Sequence, residues 1–489
     1  MSKLASYKNI DRIWNSPTLM TWLSYSTKAL ALFGILPLVL NRFSSGDIVL
    51  WYLFSTIISL QSIADFGFRQ TFSRIISYAF GGAKDIEIFK TDKVNKLSDH
   101  NEGPNKLLLN QIVSTMKSMY LWLTLIVFIL MAIFGTWSMY HPITDASNIT
   151  EAWWGWWLVL IVSVAGFYSK IYLNFLEGLN KIALVRRIET LTSIGAILTS
   201  ILVLYLAPTL LNLVIVNQFW VIVVLLRDIY LCRTVDDGIY KHVAKKLPFD
   251  KHIFQKVWQP AWRSGISGFM SVGLTNLTGL IYAQIGNAHE VASYLLALRI
   301  INQIKEVSMA PFYSKLPVLA MLRVKENLKE LIHVCKRGMF LSHMVFIIGF
   351  ITVGFSANWL LTLIHSQVPF VNQKLWMLLG IAFFVHRFGA MHIQVYMSTN
   401  HIISHIADGV SGILYIISSL VLSQYIGIYA VPIGMLVGYL GFYAWYAAKY
   451  SYQSLQVNAW QFEKSTSALA VLILILYILI SSKMNYGKI

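Results

Sequence analysis

Long apolar runs are the sequence feature that most limits how this chain can fold. Runs of about 20 residues, the length that a helix needs to cross a bilayer, recur from Thr18 to Ser481. Hydrophobic residues make up 56% of the 489 residues and charged residues only 12%, whereas soluble domains carry about 25% charged residues. The sequence therefore predicts an all-α polytopic membrane protein.

The basic residues fall in alternate loops, which is the pattern that sets membrane topology. Lys3, Lys8 and Arg12 precede the first span and predict a cytoplasmic N-terminus in the inner (plasma) membrane. We predict twelve core spans in two six-helix bundles, and the last apolar run adds a thirteenth span if it crosses. The predicted divisions are an N-terminal bundle over 1–233 with a cytoplasmic loop at 81–115, a basic cytoplasmic connecting segment over 234–261, a C-terminal bundle over 262–450, and a tail over 451–489 with the extra run at 466–482.

The two halves show a faint internal repeat. When the sequence is aligned with itself at one constant shift, the segment that begins at Asp47 matches the segment that begins at Glu290. The same shift aligns Pro17 with Pro260. Six spans return the chain to the same side of the membrane, so the halves would be parallel repeats. This layout is found in transporters, which bind their substrate near the bilayer midplane between the halves.

The segment from Val291 to Leu322 is long enough to cross a bilayer but carries charge in its middle. On one helix, Arg299, Asn302, Gln303 and Glu306 form a continuous polar stripe. A charge at this depth costs roughly 2.5–3.5 kcal/mol, so such residues usually face a cavity or a partner. Either they line a polar pathway, or they form an internal ion pair that holds helices together.

Other charged residues lie within predicted spans, and cations outnumber acids among them. Several cations in different helices indicate a cavity suited to an anion such as a diphosphate or an acidic sugar. The alternative is pairing between helices or snorkelling of long side chains. The predicted substrate-binding residues are Lys28, Lys170, Arg263, Arg299, Arg387, Asn302 and Gln303, and the residues predicted to couple an ion or to pair charges are Asp65, Glu177 and Glu306.

Several function classes are disfavoured. The net charge of +17 reflects loop residues that set topology, so we predict no nucleic-acid partner. We find no nucleotide-binding Walker motif, and we predict no metal, no cofactor and no catalytic residue. Every predicted external loop is short, at most about 13 residues. A membrane polysaccharide polymerase, which would need a sizeable external loop, is therefore the least favoured reading.

Three segments of the chain carry a resemblance to a known family: SIADFGFRQTFSRIIS, FLEGLNKIALVRRIE, and the long stretch from STNHIISHIADG to VPIGMLVGYL. Together they resemble the bacterial polysaccharide or O-antigen flippase family of the multidrug/oligosaccharidyl-lipid/polysaccharide exporter superfamily. The resemblance implies two six-helix bundles that work by alternating access. It also implies movement of undecaprenyl-diphosphate-linked sugar units to the outer leaflet through a cationic central cavity.

The resulting hypothesis is a flippase for a lipid-linked oligosaccharide. Its implied partners are that substrate, a coupling cation (H⁺ or Na⁺) and polysaccharide polymerase machinery. The alternative is a multidrug or cation antiporter of the same superfamily, although a cationic drug would favour a net acidic cavity.

Overall fold

The computed structural model describes residue 27 and residues 34–65, 67–82, 103–245, 247–313, 315–324, 326–399 and 401–486. These parts of the chain are helices joined by short connections, with no strand among them. Many large apolar side chains on the helices are exposed, such as Trp122, Phe134 and Leu198, which is the arrangement expected when the solvent is lipid. The predicted class, an all-α polytopic membrane protein, is confirmed.

Seven helical segments in the described residues are long and apolar enough to cross a bilayer. The last of them covers 52 residues, about 78 Å of helix, which is more than twice the hydrocarbon thickness. Gly427 interrupts it with a positive φ of 54°, and the helices on either side pack against each other. This segment is therefore a helical hairpin that contains two crossings. The seven segments are Lys106–Thr144, Ile149–Gly178, Ile182–Leu206, Leu210–Thr234, Leu328–Leu363, Gln373–Met397 and Ser404–Leu455.

The chain divides into two compact units, Met1–Gly265 and Ile266–Ile489. In the first unit, α5 is the central helix and packs against α2, α3 and α7. Polar side chains begin several of its helices: Asn105 accepts from the backbone of Leu108 at 3.1 Å, so α3 already occupies the end of the predicted 81–115 loop. The helices of this unit are α1 (Ser45–Ala64), α2 (Phe68–Phe80), α3 (Lys106–Leu130), α4 (Thr136–Thr144), α5 (Ile149–Gly178), α6 (Ile182–Leu206), α7 (Leu210–Thr234), α8 (Ile239–Val243) and most of α9 (Lys251–Gly268).

In the second unit, α14 packs against α11, α13, α16 and α17. A buried apolar layer around Phe312, Met339, Met391 and Phe462 joins α11, α13 and α14 to the short α18. The helices of this unit after α9 are α10 (Leu274–Ile285), α11 (Ala288–Tyr313), α12 (Leu316–Val324), α13 (Leu328–Leu363), α14 (Gln373–Met397), α15 (Ser404–Ile426), α16 (Ala430–Gly438), α17 (Ala444–Leu455), α18 (Ala459–Glu463) and α19 (Ala468–Tyr486).

The predicted helix over Val291–Leu322 is two helices in the structure. Helix α11 ends at Tyr313, two residues after Pro311, and α12 starts at Leu316. Proline has no N–H to donate and its ring clashes with the preceding turn, so a helix commonly bends or ends near it. In the described part of the chain, three single turns of π-helix also interrupt the long helices: Met131–Gly135, Phe269–Gly273 and Tyr439–Tyr443. Such turns are frequent at functional sites.

The tail contributes α19 to the second unit. The Tyr477 hydroxyl accepts a hydrogen bond from Gln373 Nε2 at 2.6 Å, and the Tyr477 ring meets the Phe350 ring edge-on with centroids 5.3 Å apart. A side chain at Gly354 would collide with that hydroxyl, so the glycine is needed for α19 to approach α13.

Candidate functional site: polar clusters in each unit

Asp65 occupies the break between α1 and α2. Gly67 adopts a left-handed conformation there (φ 71°), which ends α1 and lets α2 start in a new direction. The Asp65 carboxylate then accepts from the backbone N–H of Arg69 at 3.1 Å, in the first turn of α2. Asp65 is only 5% exposed, so its charge depends on this helix end and on neighbouring side chains.

Tyr120 of α3 and Asn174 of α5 complete the surroundings of Asp65. The Tyr120 hydroxyl donates to the carboxylate and accepts from Asn174 Nδ2 at 2.7 Å. All three side chains are buried. The Asn174 Oδ1 atom is buried and has no hydrogen-bond partner among the described residues. The cluster therefore keeps an acceptor available beside a carboxylate at the meeting point of three helices.

A second layer of charge surrounds this cluster. Glu177 pairs with Arg69, whose Nε lies 3.0 Å from Glu177 Oε2, and it also lies 3.7 Å from Arg186. Lys170 is one turn before Asn174 on α5, with its amine 4.7 Å from the centre of the Phe167 ring. The structure therefore brings three of the predicted residues, Asp65, Lys170 and Glu177, into the same part of the first unit.

The polar stripe of the second unit lies on α11. Residues 291–298 of this helix are buried, whereas Arg299, Asn302 and Gln303 are partly exposed and the Glu306 side chain is 71% exposed. The stripe thus begins where the buried part of the helix gives way to accessible surface. Lys305, which the sequence analysis did not select, lies 3.5 Å from Glu306. Its charge inside a predicted span was a signal that could have identified it.

Arg387 of α14 lies inside the second unit with no exposed surface. Its Nη2 donates to the carbonyl of Ser342 at 2.7 Å and, more weakly, to that of Ser308 at 3.4 Å. Its guanidinium also lies 4.6 Å from the centre of the Phe346 ring. In this conformation a substrate headgroup cannot reach it, and it links α11, α13 and α14.

The remaining predicted cations lie elsewhere. Arg263 is exposed on α9, with its guanidinium 5.7 Å from the centre of the Trp262 ring. Lys28 lies outside the described residues.

Sequence reasoning also missed the pair formed by Asp408 of α15 and Ser267 of α9, in which the Ser267 hydroxyl donates to a buried carboxylate. Asp408 was detectable as an acid within a predicted span. Tyr120 gave no comparable signal, because nothing in its neighbouring sequence indicates that it meets Asp65. Among the described residues, no group of three or more His, Cys, Asp or Glu side chains is placed to hold a metal ion.

Comparison with known proteins identifies solved structures that share this fold. No family model and no curated protein sequence matches the chain. Solved structures do match. An inward-facing multidrug resistance MATE family transporter of the MOP superfamily is 12% identical, with a TM-score of 0.63 over 92% of this chain and 96% of that one. The MATE transporter VcmN of Vibrio cholerae is also 12% identical, with a TM-score of 0.52 over 92% and 99%. Lipid II flippase MurJ in an inward closed conformation is 13% identical, with a TM-score of 0.55 over 96% and 99%. The chain therefore shares its fold with these two transporters and this flippase.

Proposed function

We propose that this protein is a flippase that moves an undecaprenyl-diphosphate-linked oligosaccharide across the inner membrane by alternating access. The observation that carries the proposal is the accessible polar stripe of α11. In the middle of this helix lie two cations, Arg299 and Lys305, and one acid, Glu306, so this partly exposed stretch carries a net positive charge. Charged residues within spans usually face a cavity or a partner, and a net positive stretch that is accessible suits an anionic ligand.

The chemistry of the stripe suits such a substrate. A guanidinium binds phosphate oxygens through two parallel hydrogen bonds, so Arg299 is the residue we assign to the diphosphate. Asn302 and Gln303 follow on the same face and offer amide donors and acceptors for sugar hydroxyls. The lipid tail would remain in the bilayer while the polar headgroup moves. Lys28, Lys170 and Arg263 are proposed to add positive charge along the route.

The fold supports a transporter of this kind. One of the matching structures is named as a lipid II flippase, and it covers 96% of this chain. We propose the topology that the loop charges predict, with the N-terminus in the cytoplasm. Polysaccharide polymerase machinery would then receive the translocated units at the outer face.

Replacing Arg299 tests the proposal. Arg299→Ala should abolish export at unchanged protein level, whereas Arg299→Lys should retain part of it because the charge remains. Arg337→Ala, which removes an exposed cation from α13, is the matched control and should export normally. The measurement is the pool of lipid-linked oligosaccharide in the inner leaflet, which should rise as the surface polymer disappears. Normal export by Arg299→Ala would refute the assignment.

A cation-coupled drug antiporter is the second candidate, and buried carboxylates are the observation that favours it. Asp65 and Asp408 each receive a hydrogen bond from a neutral hydroxyl, that of Tyr120 and that of Ser267, and in this candidate function one or both acids would exchange a coupling cation. The matching MATE structures fit this function equally well. Cells without the protein distinguish the two: raised drug sensitivity with an unchanged lipid-linked sugar pool would establish the antiporter.

A further inference from the structure

The guanidinium of Arg387 is buried but incompletely satisfied. Only Nη2 has acceptors, the carbonyls of Ser342 and Ser308. Nε and Nη1 are buried and have no hydrogen-bond partner among the described residues. No carboxylate in the described part of the chain lies within the 4.0 Å of an ion pair with Arg387. Burial of an unpaired charge is among the most expensive arrangements in a protein interior.

Two neighbours of Arg387 are unsatisfied as well. Ser342, whose carbonyl binds the guanidinium, has a buried hydroxyl with no partner, and both ring nitrogens of the adjacent His343 are buried without one. The His343 ring packs against Phe384 and Phe388, with centroids 4.9 and 6.3 Å apart, and these two rings flank Arg387 on α14. The orphaned groups therefore belong to one small region between α13 and α14.

The chemistry of these groups indicates what they can bind. The guanidinium nitrogens Nε and Nη1 can only donate, and both a serine hydroxyl and an imidazole N–H can donate too. A ligand suited to them accepts several hydrogen bonds and compensates a positive charge. A water molecule would satisfy some donors but leave the charge, whereas a small anion does both. Because neither Arg387 nor His343 has any exposed surface, the diphosphate headgroup of a lipid-linked substrate cannot reach them in this conformation.

We propose that Arg387, Ser342 and His343 form a binding site for a small inorganic anion of halide size inside the second unit. The anion would neutralise the guanidinium that links α11, α13 and α14. This site is separate from the accessible stripe of α11, and the inference does not depend on which substrate the protein transports.

Anion-dependent stability tests the site in the purified full-length protein. Thermal unfolding is measured in sodium chloride and in sodium gluconate at equal ionic strength, together with retention of radioactive chloride. Chloride should raise the Tm in a saturable way, by roughly 3–6 °C at ten times its Kd. Bromide should replace chloride, whereas sulfate should not.

Substitutions test whether Arg387 is the residue that binds chloride. Arg387→Met should lose both the chloride-dependent shift and the retained chloride, while Arg337→Met should keep them. If Arg387→Met does not fold, Ser342→Ala keeps the carbonyl contact and should weaken chloride retention about tenfold by removing one donor. Equal Tm values in chloride and gluconate with no retained chloride would show that the region holds water only. Chloride retention that survives Arg387→Met would place the ion elsewhere. Either result would overturn the proposal.

Discussion

Replacing Tyr120 with phenylalanine is the sharpest test of the cluster around Asp65. The hydroxyl of Tyr120 has two partners: it donates to the Asp65 carboxylate and accepts from Asn174 Nδ2. Tyr120→Phe removes one oxygen atom and leaves the ring in place against Phe72 and Phe167. The substitution therefore tests the hydrogen bonds and not the packing.

The expected cost follows from what the substitution leaves behind. A hydrogen bond to a charged group contributes roughly 1.5–3 kcal/mol, and a buried amide without a partner costs about 1–3 kcal/mol. Without the Tyr120 hydroxyl, Asn174 Nδ2 loses the acceptor it has in the structure, and Asn174 Oδ1 already has no partner among the described residues, so the whole amide would be buried without a hydrogen bond. We therefore expect Tyr120→Phe to lower the free energy of unfolding by about 3 kcal/mol or more. For a unit of this size, that decrease lowers the Tm by roughly 6–12 °C.

Thermal unfolding of the purified protein measures this loss. Tyr140→Phe is the control, because Tyr140 is 69% exposed and should tolerate the change within about 0.5 kcal/mol. Asn174→Leu should lower the free energy of unfolding less in the Tyr120→Phe background than in the wild type, because Tyr120→Phe has already removed the acceptor of the Asn174 amide. A Tm for Tyr120→Phe equal to that of Tyr140→Phe would refute the account of the cluster.

Two further predictions concern packing and pH. Gly178→Ala should destabilise the first unit by about 1–3 kcal/mol, because the new Cβ would lie 2.6 Å from the Cβ of Ile76. The control is Gly166→Ala on the same helix, where the new Cβ would make only an ordinary contact at 3.5 Å. Equal Tm values for the two variants would contradict the predicted clash at Gly178. Burial alone would raise the pKa of Glu463, but its contact with His392 and hydrogen bonds from neighbouring hydroxyls lower that pKa to about 2 instead. Because the pKa is lower in the folded protein than its unfolded value of about 4.5, the ionised carboxylate stabilises the fold at pH values above 4.5. This stabilisation, roughly 3 kcal/mol, is lost as the pH falls towards 2. Tm profiles of wild type and Glu463→Gln from pH 7 to pH 2 should therefore approach each other below about pH 4.5 and converge near pH 2, and parallel profiles would show that the carboxylate contributes nothing.

Sequence reasoning predicted the class of this fold because its main constraint is local. A helix must satisfy its own backbone in lipid, so runs of apolar residues directly indicate spans. Interruptions within the runs were harder to predict. Pro311 and Pro317 were visible, but the ending of α11 at Tyr313 depends on how that region packs. The π-helical turn at Met131–Gly135 has no proline at all.

The candidate site was predicted only in part, for the same physical reason. Charge inside a span identified Asp65, Glu177 and Arg387, since such residues are rare whatever they contact. Their partners are decided by tertiary packing. Arg69 lies 108 positions from Glu177 in sequence, so no local pattern pairs them. The same holds for exposure: Arg387 and Arg299 look alike in sequence, yet one is fully buried and the other is partly exposed.

The approach of α19 to α13 has a practical consequence for handling this protein. Tyr477 supplies the acceptor for Gln373 and packs edge-on against the Phe350 ring, so shortening the chain before α19 would remove a hydrogen bond from α14 and a ring contact from α13. Affinity tags and fluorescent fusions should accordingly follow the last residue, and a truncated variant that loses activity should first be checked for damage to α13 and α14.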